Sequence, residues 1–111
     1  CGASEQAMLD IAVGSALKGK LPFCYSITTF VIYRPFETIR LYLKHEQIPV
    51  KLIGSGRDQD YKHDGISHDA TGIQHLLDGI FQYWPEDKKE IPDMVENMIY
   101  NNKPSFISLR R

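Results

Sequence analysis

Helical and strand-like patterns alternate along the whole chain, and this leaves few folds open. Apolar residues at Ala7, Met8, Ile11, Ala12, Ala16 and Leu17 recur at the spacing of a helix with one buried stripe. Ser4 is placed to cap that helix, which runs to about Lys18 and stops at Gly19. Residues 22–26 read as a strand. A second helical pattern begins at Thr28 and continues through Leu43, with Pro35 inside it. Proline removes a backbone donor and clashes with the preceding turn, so a kink or a fresh helix start is expected there. Residues 49–54 read as a second strand. Residues 55–69 show no periodicity, and a loop of that length is usually functional or disordered. A short helix over 70–79 and a strand over 80–84 follow, with Pro85 as the stop. Ile91, Met94, Val95, Met98 and Ile99 then mark a fourth helix. Residues 101–104 form a turn, and 105–109 are a closing strand.

Four helix–strand units in succession predict an α/β fold: a parallel sheet with helices on both faces. Ligands gather at the carboxyl ends of the strands in such sheets. Two segments qualify, residues 27–30 and 55–69. A doubly wound unit normally opens with a strand, whereas this chain opens with a small-residue turn, Cys1-Gly2-Ala3-Ser4, into a helix. An opening strand is therefore expected to be missing.

Composition narrows the function. With 111 residues, 42% hydrophobic and 24% charged, the chain is ordinary globular material of one domain. Net charge is -1, and Arg110-Arg111 is too short a basic run for a nucleic-acid footprint. No apolar run approaches the ~20 residues needed to cross a bilayer. Cys1 and Cys24 are too few for a disulfide framework or a metal site, which suits a reducing, cytoplasmic setting.

The residues with chemical potential are modest one at a time. Glu5 lies in the first turn of the first helix, beside its buried stripe and near free backbone N–H groups. Gly54-Ser55-Gly56 after a strand could cradle a phosphate but lacks the rest of a dinucleotide or P-loop motif. His63, His68 and His75 have no spacing that demands a metal. Phe30 and Tyr33 are three apart on one helical face, where core packing is the ordinary reading.

Taken in order, the motifs are more specific. Ala3-Ser4-Glu5-Gln6 opens a helix. Then come Pro22-Phe23-Cys24-Tyr25-Ser26-Ile27-Thr28-Thr29-Phe30-Val31-Ile32-Tyr33-Arg34, Ile39-Arg40, Pro49-Val50-Lys51-Leu52-Ile53-Gly54-Ser55-Gly56 and Asp64-Gly65-Ile66-Ser67-His68. This succession resembles the pyrimidine-binding domain of transketolase-like thiamine diphosphate enzymes, in particular the carboxyl-terminal subunit of transketolases split into two polypeptides. Pro104-Ser105-Phe106-Ile107-Ser108-Leu109-Arg110 is similar to that domain's final strand. The resemblance implies a partial domain over residues 1–111, lacking the family's first helix and strand.

It also implies roles. Glu5 would hydrogen-bond the ring nitrogen of the cofactor's aminopyrimidine, so that the exocyclic nitrogen can take the proton from the thiazolium. Phe30, Tyr33 and Ile27 would line the pyrimidine pocket. Asp64 and His68 would face the substrate, binding sugar hydroxyls, with His68 assisting proton transfer at the carbonyl oxygen. The diphosphate and its Mg²⁺ would be held by a partner domain or subunit, with the active site at the interface of a homo- or hetero-oligomer. The expected reaction is transfer of a two-carbon ketol unit between sugar phosphates or related carbohydrates. The isolated chain would be inactive and poorly stable. The alternatives are a non-catalytic pairing module, 1-deoxyxylulose-5-phosphate synthase, and the beta subunit of a 2-oxoacid dehydrogenase. The chain departs from the family pattern at Ile27, where an aromatic is common, at Ile66, where proline is usual, and at Asp69, where His or Gln is usual. Gly56 lies near a position where many transketolases carry a substrate-contacting histidine. Arg57-Asp58-Gln59-Asp60-Tyr61 is more charged than the usual Gly-rich loop. These changes bear on the substrate more than on the cofactor.

Overall fold

A computed structural model describes residues 3–111; Cys1 and Gly2 lie outside the described residues, and with them the start of the predicted opening turn. The helix α1 (Glu5–Leu17) leads to β1 (Phe23–Ile27), α2 (Thr28–Tyr33) and the short α3 (Phe36–Thr38), which continues as a wider π-helical segment, Ile39–His45. Then come β2 (Lys51–Ser55), β3 (Phe81–Tyr83), α4 (Ile91–Tyr100) and β4 (Ser105–Leu109). All neighbouring strands are parallel, in the order β1-β2-β4-β3. The connection β3-α4-β4 runs back across the sheet while β1 to β2 runs forward. Right-handed crossovers then place α4 on the face opposite α2 and α3. The predicted parallel sheet covered on both faces is the fold observed.

Burial follows strand position. The inner strand β4 is buried along Ser105, Phe106, Ile107 and Ser108, as expected for a strand covered on both sides. The edge strands expose alternate residues: Phe23 and Tyr25 on β1, Phe81 on β3. Leu9, Val31, Ile32, Ile39, Leu43, Leu52, Ile73, Leu77 and Phe106 make up most of the core. Gly54 belongs to it for want of a side chain. A Cβ there would stand 2.5 Å from Thr28 Oγ1 and 2.8 Å from Phe106 Cε2, so glycine is what lets the start of α2 lie on β2.

The structure corrects four local expectations. In α1 the buried residues are Glu5, Leu9, Ala12 and Val13, whereas Ile11 and Leu17 are more than 60% exposed (63% and 67%) and Ala7 is exposed too. The helix is apolar on more than one side, so its spacing alone does not say which side the sheet covers. Ser4 occupies the N-cap position, but its side chain caps nothing; its carbonyl accepts from Met8 N–H at 2.9 Å. The short helix expected over 70–79 is a 3-10 turn, Ile73–Leu77. Gly72 (φ 78°) and Gly79 (φ 88°) take left-handed conformations on either side and leave too few residues for stable α-helix. The loop after β2 is folded into 3-10 turns, Lys62–Asp64 and Ile66–His68. At Pro35 the chain does make a fresh start: α2 ends at Tyr33 and α3 begins at Phe36.

Candidate functional site

Glu5 reaches the carboxyl end of the sheet because α1 packs against β1 and α3. Its place on α1 is held by a side-chain network. Gln6 Nε2 donates to Thr38 Oγ1 at 2.6 Å and to Asp10 Oδ1 at 3.0 Å, and Thr38 Oγ1 donates to Asp10 Oδ1 at 2.8 Å. Glu5 lies on the buried stripe itself, one turn before Leu9, and is 6% exposed. Ser26 Oγ, at the end of β1, donates to Glu5 Oε1 at 3.3 Å. Arg34 Nη1 donates to Glu5 Oε2 at 3.0 Å. Burial pushes the carboxyl up, but its own backbone N–H, Arg34 and Ser26 together outweigh burial and hold it below the usual value. Glu5 is therefore an ionised, buried acid with a cation against it.

Phe30 lies on α2 within reach of the same cation. The Arg34 guanidinium carbon stands 3.8 Å from the Phe30 ring centroid. The His68 ring meets Phe30 edge-on, with centroids 4.8 Å apart. The loop that carries His68 is fastened to α2 by Thr29 Oγ1, which donates to Ser67 O at 2.7 Å. His68 Nδ1 is 2.9 Å from Ser67 Oγ, which leaves Nε2 as the nitrogen to meet a ligand. Thus Glu5, Phe30 and His68, far apart in sequence, form one chain of contacts: Arg34 joins Glu5 to Phe30, and Phe30 meets His68.

The remaining predicted residues sit further out. Ile27 is half-buried where β1 passes into α2. Tyr33, on the same helix as Phe30, is 47% exposed. Asp64 is exposed on its 3-10 turn, on the same loop as His68. Glycines 54 and 56 have reasons other than a phosphate. Gly56 takes φ 90°, and a Cβ on it would stand 2.3 Å from Tyr61 Cε2, so the Tyr61 ring covers the loop. Tyr61 Oη is 2.8 Å from Ser55 Oγ. Thr28 Oγ1 donates to Gly56 O at 2.6 Å.

Arg57, which the sequence shows only as part of a charged loop, is 5% exposed. Its guanidinium donates to Ser108 O at 2.9 Å, Pro85 O at 2.8 Å, Ser108 Oγ at 3.1 Å and Glu86 Oε1 at 2.9 Å. It joins the ends of β3 and β4 to the loop after β2. Asp60 accepts from Arg57 N–H at 2.9 Å and from Arg110 at 3.1 Å. Much of the charge in that loop is therefore spent on holding its shape. Arg34, the other residue whose part the sequence reading missed, did carry a signal. Four residues after Phe30 on a helical pattern, it falls where i, i+4 side chains meet.

Among the described residues, no group of three or more His, Cys, Asp or Glu side chains converges as a metal site would. Nor is any described helix long and apolar enough to cross a membrane.

Comparison with known proteins gives the following. Residues 1–111 match the sequence model of the family described as transketolase, pyrimidine binding domain. A 6-deoxy-6-sulfo-D-fructose transketolase subunit from Clostridium sp. (strain MSTE9) is 26% identical over 99% of this chain and 35% of its own length. A putative transketolase C-terminal section from Methanocaldococcus jannaschii is 24% identical over 99% of this chain and 36% of its own length. A solved split gene transketolase, an inactive beta4 tetramer, aligns with a TM-score of 0.84 and 24% identity over 97% of this chain and 35% of that one. The chain spans about a third of the length of these relatives.

Proposed function

The chain belongs to the family of transketolase pyrimidine-binding domains, and from that premise we propose that it is the pyrimidine half of a thiamine diphosphate-dependent transketolase. In this reading the active site is completed by a diphosphate-binding domain or subunit that carries the Mg²⁺. The reaction is transfer of a two-carbon ketol unit between sugar phosphates or related carbohydrates.

One observation carries the reading: Glu5, a buried carboxylate at the carboxyl end of the sheet, faces a planar nitrogen cation that is stacked on an aromatic ring. A carboxylate and an aromatic face that hold a guanidinium in this way suit a flat, protonatable heteroaromatic ring. Bound there, thiamine diphosphate would supply the acidic carbon that attacks the sugar carbonyl, and the protein's work is orientation and charge. Glu5 holds a proton at the ring nitrogen by sharing it, which a carboxylate does and an amide does not. Phe30 offers its face, worth about 0.5–1.5 kcal/mol beyond burial. Tyr33 and Ile27 form the outer wall. His68 Nε2 holds or moves a proton at the substrate carbonyl oxygen, and Asp64 accepts from sugar hydroxyls.

The second reading is a pairing module without chemistry. The charged residues Arg57 and Asp60 of the loop after β2, engaged within the chain by each other and by Glu86 and Arg110, favour it. One experiment separates the two. The chain is copurified with its diphosphate-binding partner, and ketol transfer is assayed with wild-type chain and with Glu5→Gln. A loss of about 100-fold or more is expected on the usual scale for acid–base groups. Equal activity would leave only the pairing module.

A further inference from the structure

Arg34 occupies the ground that the proposed function assigns to the cofactor. Its Nη1 donates to Glu5 Oε2 at 3.0 Å, and its Cζ lies 3.8 Å from the centroid of Phe30. These are the carboxylate and the aromatic face reserved for the aminopyrimidine. A guanidinium is flat, positively charged and rich in N–H donors. A pyrimidine that shares a proton with a carboxylate and stacks on a ring presents the same features. A carboxylate oxygen can accept two hydrogen bonds, but a second flat group could not take the Glu5 side of the Phe30 face while the guanidinium covers it.

Arg34 is also built to leave. It follows the last residue of α2, and Pro35 behind it ends the helical register. Its side chain is 45% exposed. Glu5 is its one side-chain hydrogen-bond partner among the described residues. A long side chain at a helix end, with solvent on one side, can swing out without disturbing the core.

We propose that Arg34 is an internal plug: it stands in for the aminopyrimidine while the site is empty and is displaced when the cofactor's ring enters. The inference rests on the reading of Glu5 and Phe30 given above. The plug has a use at each stage. Before loading, it neutralises a buried acid that would otherwise be left without a cation, which is costly. On loading, its departure removes the guanidinium that helps keep Glu5 ionised, so the carboxyl gains affinity for a proton when the ring arrives to share one. The acid is thereby silent in the free chain and tuned in the assembled one.

A plug taxes affinity, because binding is reduced by the fraction of molecules in which the site is open. The test is equilibrium binding of thiamine diphosphate, by calorimetry in the presence of Mg²⁺, to the complex of this chain with its diphosphate-binding partner. Wild type is compared with Arg34→Ala, Arg34→Lys, Glu5→Gln and Phe30→Ala. Arg34→Ala should bind about 5- to 30-fold more tightly, the range set by one part-exposed ion pair and one cation–π contact. Arg34→Lys keeps a charge for Glu5 but loses the flat fork, so it should lie between wild type and Arg34→Ala; it serves as the reading if the alanine variant does not fold. In a Glu5→Gln background the gain from Arg34→Ala should shrink, since the plug has lost its anchor. Unchanged or weaker binding by the Arg34 variants, while Glu5→Gln and Phe30→Ala weaken it, would overturn the plug alone. Unchanged binding by Glu5→Gln and Phe30→Ala would overturn the underlying reading instead.

Discussion

Lys51 brings a charge into the fold at the end of the sheet away from the candidate site. Its side chain is wholly buried where β2 and β4 begin. Its ammonium donates to Asn101 Oδ1 at 2.6 Å, to Lys103 O and, at 3.5 Å, to Ser105 Oγ. These are neutral oxygens, and burial pushes the ammonium down to about 8 from 10.5. The sign of the consequence follows from proton counting. The unfolded chain holds this proton up to about 10.5, the folded chain only to about 8, so between those values the unfolded state binds more protons. Stability contributed by Lys51 is greatest above 10.5 and falls as the pH drops to 8. Urea unfolding of wild type and Lys51→Met across that window should show wild type gaining on the variant as pH rises. Curves that stay parallel would mean that the surrounding oxygens keep the charged form as comfortable as water does. The sequence showed Lys51 as one residue of a strand; its partners come from a turn about fifty positions away, so no local pattern could have pointed to them.

The element that matters most is α2, because it presents Phe30. It is short, and little in its own sequence would keep it helical; helices of this length depend on tertiary packing. It is pinned at its start by contacts from elsewhere in the chain. Thr28 donates to Gly56 O, Thr29 to Ser67 O, and the start of the helix lies over Gly54. Gly54→Ala should therefore cost about 1–3 kcal/mol, the usual scale for overpacking a core, and should move α2 enough to loosen Phe30 from His68. Denaturant unfolding reads the first effect, and the ring-current shifts of His68 in an NMR spectrum read the second. A variant as stable as wild type, with His68 unshifted, would show that α2 does not rest on that strand as closely as its atoms suggest.

At the scale of the whole molecule, the uncovered surfaces are informative. The β1 edge carries exposed Phe23 and Tyr25, and α1 turns Ile11 and Leu17 outward on a side of the helix that the sheet does not use. Unpaired strand edges and apolar helix faces are where chains associate. The isolated chain should therefore self-associate as its concentration rises and should unfold at a temperature that depends on concentration. Sedimentation velocity over a hundredfold dilution series is the measurement. A single monomeric species throughout, with a sharp and concentration-independent thermal transition, would contradict it. The loop after β2 belongs to the same scale: Arg57 ties it to the ends of β3 and β4, so three separate stretches of chain must be in place before the ground around His68 has a shape.

Much could be read from the residues in line. Alternating periodicities gave the α/β class and the parallel sheet, since each pattern is local and each hydrophobic face must be covered. Pro35 announced the break between α2 and α3 by its missing donor. The resemblance carried by the order of the motifs singled out Glu5, Ile27, Phe30, Tyr33, Asp64 and His68, of which the fold brings Glu5, Phe30 and His68 together. What the line of residues could not decide was anything that depends on which of two plausible partners is nearer. α1 has more apolar positions than the sheet can cover, so only packing chose Leu9 and Val13 over Ile11 and Leu17. Arg34 could have pointed to solvent or inward, and the tertiary structure turned it onto Glu5 and Phe30 because a buried carboxylate and an aromatic face were both within its reach. Periodicity belongs to a segment; the pairing of a charge belongs to the space that distant segments enclose.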